Sequence, residues 1–218
     1  MIKAIIFDFD GVIIDSETSI FNAWSKVYEE YGQELTLEEW IVNIGTSNNN
    51  FNAHATLETK LGISLDHKFL VNKYRSIREK LMDSKELLPG VERIIELSKD
   101  LPCPLSIASS SSKEWVIGNL KDLNLYNVFP IIKCKDDVEN TKPDPDLYLS
   151  VLKELHIDAN DAVAIEDSRH GLIAAKNAGL HCIVVPNLLT KDMNFIESDF
   201  LVESLDVLDW EYLLHLGV

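Results

Sequence analysis

Ile2-Lys3-Ala4-Ile5-Ile6-Phe7 leads directly into Asp8-Phe9-Asp10-Gly11. A short β-rich run ending in two acids and a glycine reads as a buried strand that delivers carboxylates to its carboxyl end. Alternation along an extended chain puts Asp8 and Asp10 on one side and Phe9 on the other. Two like charges that close repel, and burial raises the cost, unless a cation or a shared proton compensates. Taken by itself, the segment reads equally well as a plain strand end followed by an acidic turn, because Asp-Gly is a common turn pair. The rest of the chain separates the two readings.

Further strand-like runs follow near Leu105–Ala108, Ile131–Ile132, Val163–Ile165, Cys182–Val185 and, more weakly, Phe200–Val202. Helical patterns lie between them at Val91–Lys99, Lys113–Leu120, Pro145–Leu155 and Gly171–Ala178. Strand–helix alternation of this kind predicts an α/β fold, a mostly parallel sheet with helices on both faces. Ligands of such sheets sit outside the carboxyl ends of the strands.

The interval from Ile14 to Pro89 breaks the rhythm. It holds no convincing strand, and helical patterns cover Thr18–Tyr31, Thr36–Ile41, Phe51–Leu61 and His67–Met82. Phe21, Trp24, Val27, Tyr28 and Tyr31 fall on one helical stripe, the pattern of packing rather than of ligand contact. We therefore divide the chain into an α/β core, residues 1–15 and 84–218, and a helical insertion, residues 16–83.

The strand ends can now be compared. The first delivers Asp8 and Asp10, the second Ser109 and Ser110 within the run Ser109–Ser112, and the fourth long strand Glu166-Asp167-Ser168. Between them lies Thr141-Lys142-Pro143-Asp144-Pro145, where prolines stiffen the approach of the lysine to a helix. Each piece has a plain account of its own: a helix N-cap for the serines, a solvated Lys142, an acidic helix start for Glu166-Asp167. Those accounts give no reason for the groups to occupy successive strand ends. Together, acids, hydroxyls and a lysine at one sheet edge match metal-assisted phosphoryl transfer, with Mg²⁺ suited to few carboxylates plus a phosphate oxygen. A carboxylate can serve as the nucleophile and a second, two residues on, as acid and base.

Composition narrows the partners. The chain has 218 residues, 46% of them hydrophobic and 26% charged, an ordinary globular profile. With 36 acids against 20 Lys plus Arg, its formal charge of −16 repels nucleic acid and anionic membranes. Cys103, Cys134 and Cys182 form no close-spaced pair, so free buried thiols in a reducing compartment are expected. His170 and His181 lack ligand-like spacing. The opening apolar run is too short for a signal peptide, no stretch reaches the length of a membrane span, and a cytoplasmic location is expected.

Taken in order, Asp8-Phe9-Asp10-Gly11-Val12, Ser109, Lys142-Pro143 and Glu166-Asp167-Ser168 resemble the four motifs of the haloacid dehalogenase-like hydrolase superfamily. The branch it looks most like contains β-phosphoglucomutase, phosphoglycolate phosphatase and small sugar-phosphate phosphatases, and the resemblance spans essentially the whole chain. It implies a Rossmann-like core with an inserted α-helical cap. It further implies Asp8 as nucleophile, Asp10 as general acid/base, Ser109, Ser110 and Lys142 as phosphate-holding groups, and Mg²⁺ held by Asp8, Asp10 and Asp167 with Glu166 behind them.

Asp10 argues against dehalogenation, since haloacid dehalogenases lack an acid/base there. β-Phosphoglucomutases carry a cap histidine and arginine where this chain has Ile20 and the Thr46–Asn50 stretch, although Trp24 matches. The Asp15-Ser16-Glu17 run instead resembles sugar-phosphate phosphatases. The expectation is a phosphatase of a small phosphorylated metabolite, a sugar or polyol phosphate, acting as a monomer, with a phosphosugar mutase as the alternative. A non-catalytic member of the fold should have lost Asp8 or Asp10, and both are present.

Overall fold

In a computed structural model, which describes residues 2–46, 51–82, 85–99 and 103–208, six strands form one parallel sheet. They are β1 (Ala4–Phe7), β2 (Leu105–Ala108), β3 (Ile131–Lys133), β4 (Ala162–Glu166), β5 (His181–Val184) and β6 (Phe200–Leu201). Their spatial order is β3-β2-β1-β4-β5-β6, so β1 lies inside the sheet with β2 and β4 as neighbours. Register carries the consequence for function. Phe7 sits level with Ile107 on one side and Ile165 on the other, so the residues after all three emerge together at one edge.

Side-chain alternation builds a different core on each face. Ile5, Phe7, Ile107, Val163, Ile165 and Ile183 pack with α5 (Val91–Lys99) and α6 (Lys113–Asp122). Ala4, Ile6, Ala162, Ala164 and Val184 face α7 (Asp146–Leu155) and α8 (Arg169–Asn177). The second face is rich in alanine, including Ala174 and Ala175 of α8, which lets helices approach the sheet closely. The three cysteines are free and buried, as expected.

Four helices fill the interval that lacked strands: α1 (Ser16–Glu30), α2 (Leu37–Trp40), α3 (Ala53–Leu61) and α4 (His67–Leu81). Their starts are written in the sequence, because the side chains of Asp15, Thr36, Asn52 and Asp66 each accept a backbone N–H of the first turn. The helices enclose a third apolar cluster around Val27, Tyr28, Trp40, Ile44, Leu57 and Leu70. Trp24 stacks on Tyr74 with ring centroids 4.9 Å apart, a packing role consistent with the stripe on α1. One contribution was not foreseen: Leu189, from beyond β5, belongs to this cluster.

Candidate active site

The nucleophile candidate sits where β1 ends. Asp8 is 3% exposed, and its backbone N–H donates to Ile165 O, continuing the ladder with β4. Its Oδ1 accepts the Phe9 N–H at 2.7 Å and lies 2.9 Å from Lys142 Nζ. The lysine is fully buried and also lies 2.6 Å from Glu166 Oε1. Tyr148, from α7, donates its hydroxyl to the same Glu166 oxygen, and its ring lies 5.3 Å from the lysine nitrogen. Lys142 is thus locked between two acids and an aromatic face, far from the solvated lysine of the plain account.

Carboxylate oxygens of Asp8, Glu166 and Asp167 lie within 4.8 Å of one another. Asp167 Oδ2 accepts from Asn187 Nδ2 at 2.6 Å, whereas Oδ1 is buried with no hydrogen-bond partner. Three buried acids against one ammonium leave an excess of negative charge, and the acidities record it. Burial pushes Asp8 up to about 7, with Glu166 and Asp10 adding to the effect while Lys142 opposes it. Burial, then the charges of Asp8, Glu166 and Glu17, hold Asp167 well above the carboxylate range. Burial would lower Lys142, but Asp8 and Glu166 outweigh it and keep the ammonium above the ordinary lysine range. Such a site suits a dication.

Gly11 explains how the acids come so close. Its φ is +82°, and a Cβ there would stand 2.1 Å from Asp167 Oδ2. A side chain at this position would collide with the acid as well as strain the backbone.

Asp10 has different company. Its Oδ1 accepts the Trp115 indole N–H at 2.9 Å and the Ser16 hydroxyl, and its Oδ2 accepts the Ser111 hydroxyl at 2.5 Å. These donors come from α1, from the loop after β2 and from α6. Ser109 is buried, with its N–H paired to Lys133 O and its Oγ accepting the Ser111 N–H. Its backbone N–H therefore serves the sheet. The Ser110 hydroxyl donates to Gly45 O at 3.2 Å, across to the helical segment. Gly45, at φ +78°, passes so near Ser168 that a Cβ would lie 2.0 Å from its Oγ. Ser112 and Ser168 are the N-caps of α6 and α8.

Several of these residues escaped sequence reasoning. Asn187 follows β5, so the strand-end rule points to it; Ser111 was hidden in a run of four serines. Trp115 and Tyr148 carry no such signal, and Ser16 entered only within the Asp15-Ser16-Glu17 run. Glu17 was seen only as part of a motif, yet burial together with Asp10 and Asp8 raises it to about 8. His170 is satisfied by Ile44 O at 2.8 Å, in line with its dismissal as a ligand. Of the Thr46–Asn50 stretch, residues 47–50 lie outside the described residues.

Comparison with known proteins agrees with this arrangement. The Bacillus subtilis (strain 168) protein YhcW is 41% identical over 98% of this chain and 97% of its own length. The phosphorylated carbohydrates phosphatase of Thermotoga maritima is 32% identical, with 83% of each chain covered. Among solved structures, CbbY from Rhodobacter sphaeroides in complex with xylulose-(1,5)-bisphosphate superimposes with a TM-score of 0.77 at 28% identity, covering 95% of this chain and 96% of that one. The sequence pattern of the haloacid dehalogenase-like hydrolases matches residues 5–185, and the chain belongs to that family.

Proposed function

We propose that this protein is a Mg²⁺-dependent phosphatase that hydrolyses a small phosphorylated metabolite through an aspartyl-phosphate on Asp8. The observation that carries the reading is the buried Asp8 at the end of β1, 2.9 Å from Lys142 and grouped with Asp167. An Asp8 oxygen attacks phosphorus as the ester P–O bond breaks, and Asp10 gives its proton to the departing oxygen. Water then attacks phosphorus, losing a proton to Asp10, and the Asp8–phosphorus bond breaks to release inorganic phosphate. Lys142 orients the attacking carboxylate and offsets charge on the phosphoryl group, with Ser109 and Ser110 beside it.

The residues fit the cation that the family implies. Asp167 Oδ1 is a buried acceptor without a partner, which is what a missing ligand leaves behind. Asp8 and Asp167 side chains, with the Asp10 backbone carbonyl, would hold Mg²⁺. Glu166 is excluded from that set because Lys142 and Tyr148 already engage its Oε1. When bound, the ion neutralises phosphate charge and favours the ionised form of Asp8.

Substrate class follows from the relative named as a phosphatase of phosphorylated carbohydrates and from Ile20. That residue packs in the apolar cluster of the helical segment, where mutases of the branch place a histidine. Residues 16–83 act as a cap over the site, closing it from water, and the Ser110–Gly45 and His170–Ile44 contacts are the seats of that closure. Among the described residues no helix is long and apolar enough to cross a membrane. The acidic charge disfavours nucleic acid, and a cytoplasmic monomer completes the proposal.

The test is a panel of phosphomonoesters with and without Mg²⁺, scored by phosphate release. Sugar or polyol phosphates should be hydrolysed and chelation should stop the reaction. Incubation with β-glucose 1-phosphate and a trace of its bisphosphate separates the alternative. Isomerisation outpacing phosphate release would replace the phosphatase with a mutase.

A further inference from the structure

Asp10 Oδ1 is held by two donors of unlike character. Ser16 offers a hydroxyl, which rotates freely about its C–O bond, and Ser111 does the same for Oδ2. Trp115 offers an indole N–H, whose direction is fixed once the ring is fixed. The ring is fixed from the other segment of the molecule. Arg78, in the last turns of α4, lays its guanidinium 4.5 Å from the Trp115 ring centroid. Arg78 is itself steadied by Tyr74, whose hydroxyl accepts from Nη1 at 3.3 Å, and Tyr74 stacks on Trp24 of α1. An unbroken stack, Trp24–Tyr74–Arg78–Trp115, thus runs from the helical segment to the carboxylate two residues beyond the nucleophile.

From this geometry we infer that Trp115 is a positioning residue that aims Asp10, and that Arg78 sets Trp115 from across the segment boundary. The inference rests on reading Asp10 as the general acid/base. A buried indole N–H usually finds some acceptor, so the bond alone would be unremarkable packing. Here the acceptor is the group whose direction matters for proton transfer, and a misplacement of about 1 Å in such a group can cost on the order of 100-fold in rate. Because Arg78 belongs to α4, the orientation of Asp10 depends on how the helical segment is seated. Proton delivery is then competent only when the segment is in place.

The experiment compares two aryl esters of similar size on the same enzyme preparation. p-Nitrophenolate leaves without needing a proton, whereas the phenolate of phenyl phosphate, with a pKa near that of tyrosine at about 10, leans on the acid. Trp115→Phe keeps an aromatic ring under Arg78 and removes the N–H together with the rest of the indole's second ring. It should lower kcat/KM for phenyl phosphate by roughly 10-fold, part of the ~100-fold or more that acid–base catalysis supplies, and leave p-nitrophenyl phosphate within about twofold. The second step still needs a base, so a burst of p-nitrophenolate should grow toward one per enzyme. Arg78→Met should shift the same ratio by about threefold, and the double variant should be no worse than Trp115→Phe alone, as residues acting in one chain are non-additive. The ratio is internal to the folded enzyme, so partial misfolding cancels. An unchanged ratio in Trp115→Phe, or equal losses on both esters, overturns the inference. Asp10→Asn, run in parallel, separates the two layers. If it shifts the ratio and Trp115→Phe does not, the positioning role alone falls. If neither does, the acid/base reading falls with it.

Discussion

Asp8 and Asp10 stand two residues apart and are held by opposite means. The side chains gathered around Asp8 are charged: Lys142, Glu166 and Asp167, all buried, brought there by the ends of β1 and β4 and the segment before α7. The side chains that hydrogen-bond Asp10 are all neutral: two hydroxyls and an indole, supplied by α1, the loop after β2, and α6. The first environment sets the charge state and reactivity of a group. Under the proposed mechanism, the second sets the direction of the group that hands a proton over and takes one back. A parallel sheet delivers the first kind cheaply, because register alone brings strand ends together. The second kind needs side chains of remote helices to converge.

The harshest way to break that contrast is Asp8→Asn. It leaves the neighbouring charges in place and removes only the proposed nucleophile, so turnover should fall by at least roughly 1,000-fold, the scale on which losing a covalent nucleophile is felt. Phosphate release from p-nitrophenyl phosphate measures it, and a rate within tenfold of wild type would remove Asp8 from the mechanism. Asp10→Asn should be milder, a loss of roughly 100-fold or more with the fold intact, as general acid–base catalysis contributes on that scale. The amide oxygen can still accept from Trp115 and Ser16 while its NH2 donates to the Ser111 hydroxyl, so circular dichroism and thermal melting should match wild type. Wild-type turnover in this variant contradicts the assignment.

That contrast also explains what could be read without coordinates. The six strands and the helices of residues 91–177 emerge within a residue or two of their expected bounds, because apolar runs and turn residues state them locally. The sheet edge follows from topology, so Asp8, Ser109, Lys142 and Asp167 were legible from strand-end logic and motif order. Trp115 was not: a half-buried tryptophan on an amphipathic helix looks like packing, and only the crossing of α4 over α6 gives its N–H a target. The coupling of Leu189 to the helical cluster is invisible for the same reason, since it depends on how two separately patterned segments meet. Strand Ile131–Ile132 proved one residue longer, and Glu166 lies within β4 rather than after it. That shift matters, because it turns Glu166 inward onto Lys142 and Tyr148.

Between large rate effects and small ones lies the charge state of the Asp8 region itself. Asp8 is held at about 7 in the fold, against about 3.9 in an unfolded chain. Between those values the folded state retains a proton that the unfolded state has released, so stability of the metal-free protein falls as pH rises from about 4 to about 7. Asp167, shifted in the same direction, steepens the slope. Melting in chelator should therefore occur at a lower temperature at pH 7.5 than at pH 5.5. Added Mg²⁺ should raise it more at the higher pH, where the site is ionised. A melting temperature insensitive to pH in chelator, or a Mg²⁺ effect larger at pH 5.5, would contradict the charge excess inferred at this site.

The smallest expected effect probes the helical segment away from its contacts with Asp10. Asp66 caps α4 by accepting the Phe69 N–H at 3.0 Å, and removal of such a cap costs about 1 kcal/mol. For a chain of this size Asp66→Ala should lower the melting temperature by roughly 2–4 °C. Arg78 stands at the opposite end of the same helix, and Leu70, fully buried, keeps the first turns anchored after the cap is lost. Activity on both aryl esters should accordingly stay within about twofold. If the cap change instead shifted the phenyl to p-nitrophenyl ratio as Trp115→Phe is expected to, the stability of the whole helix would feed into the aim of Asp10. The dependence could then no longer be assigned to the Arg78–Trp115 contact, because loosening either end of α4 would have the same consequence.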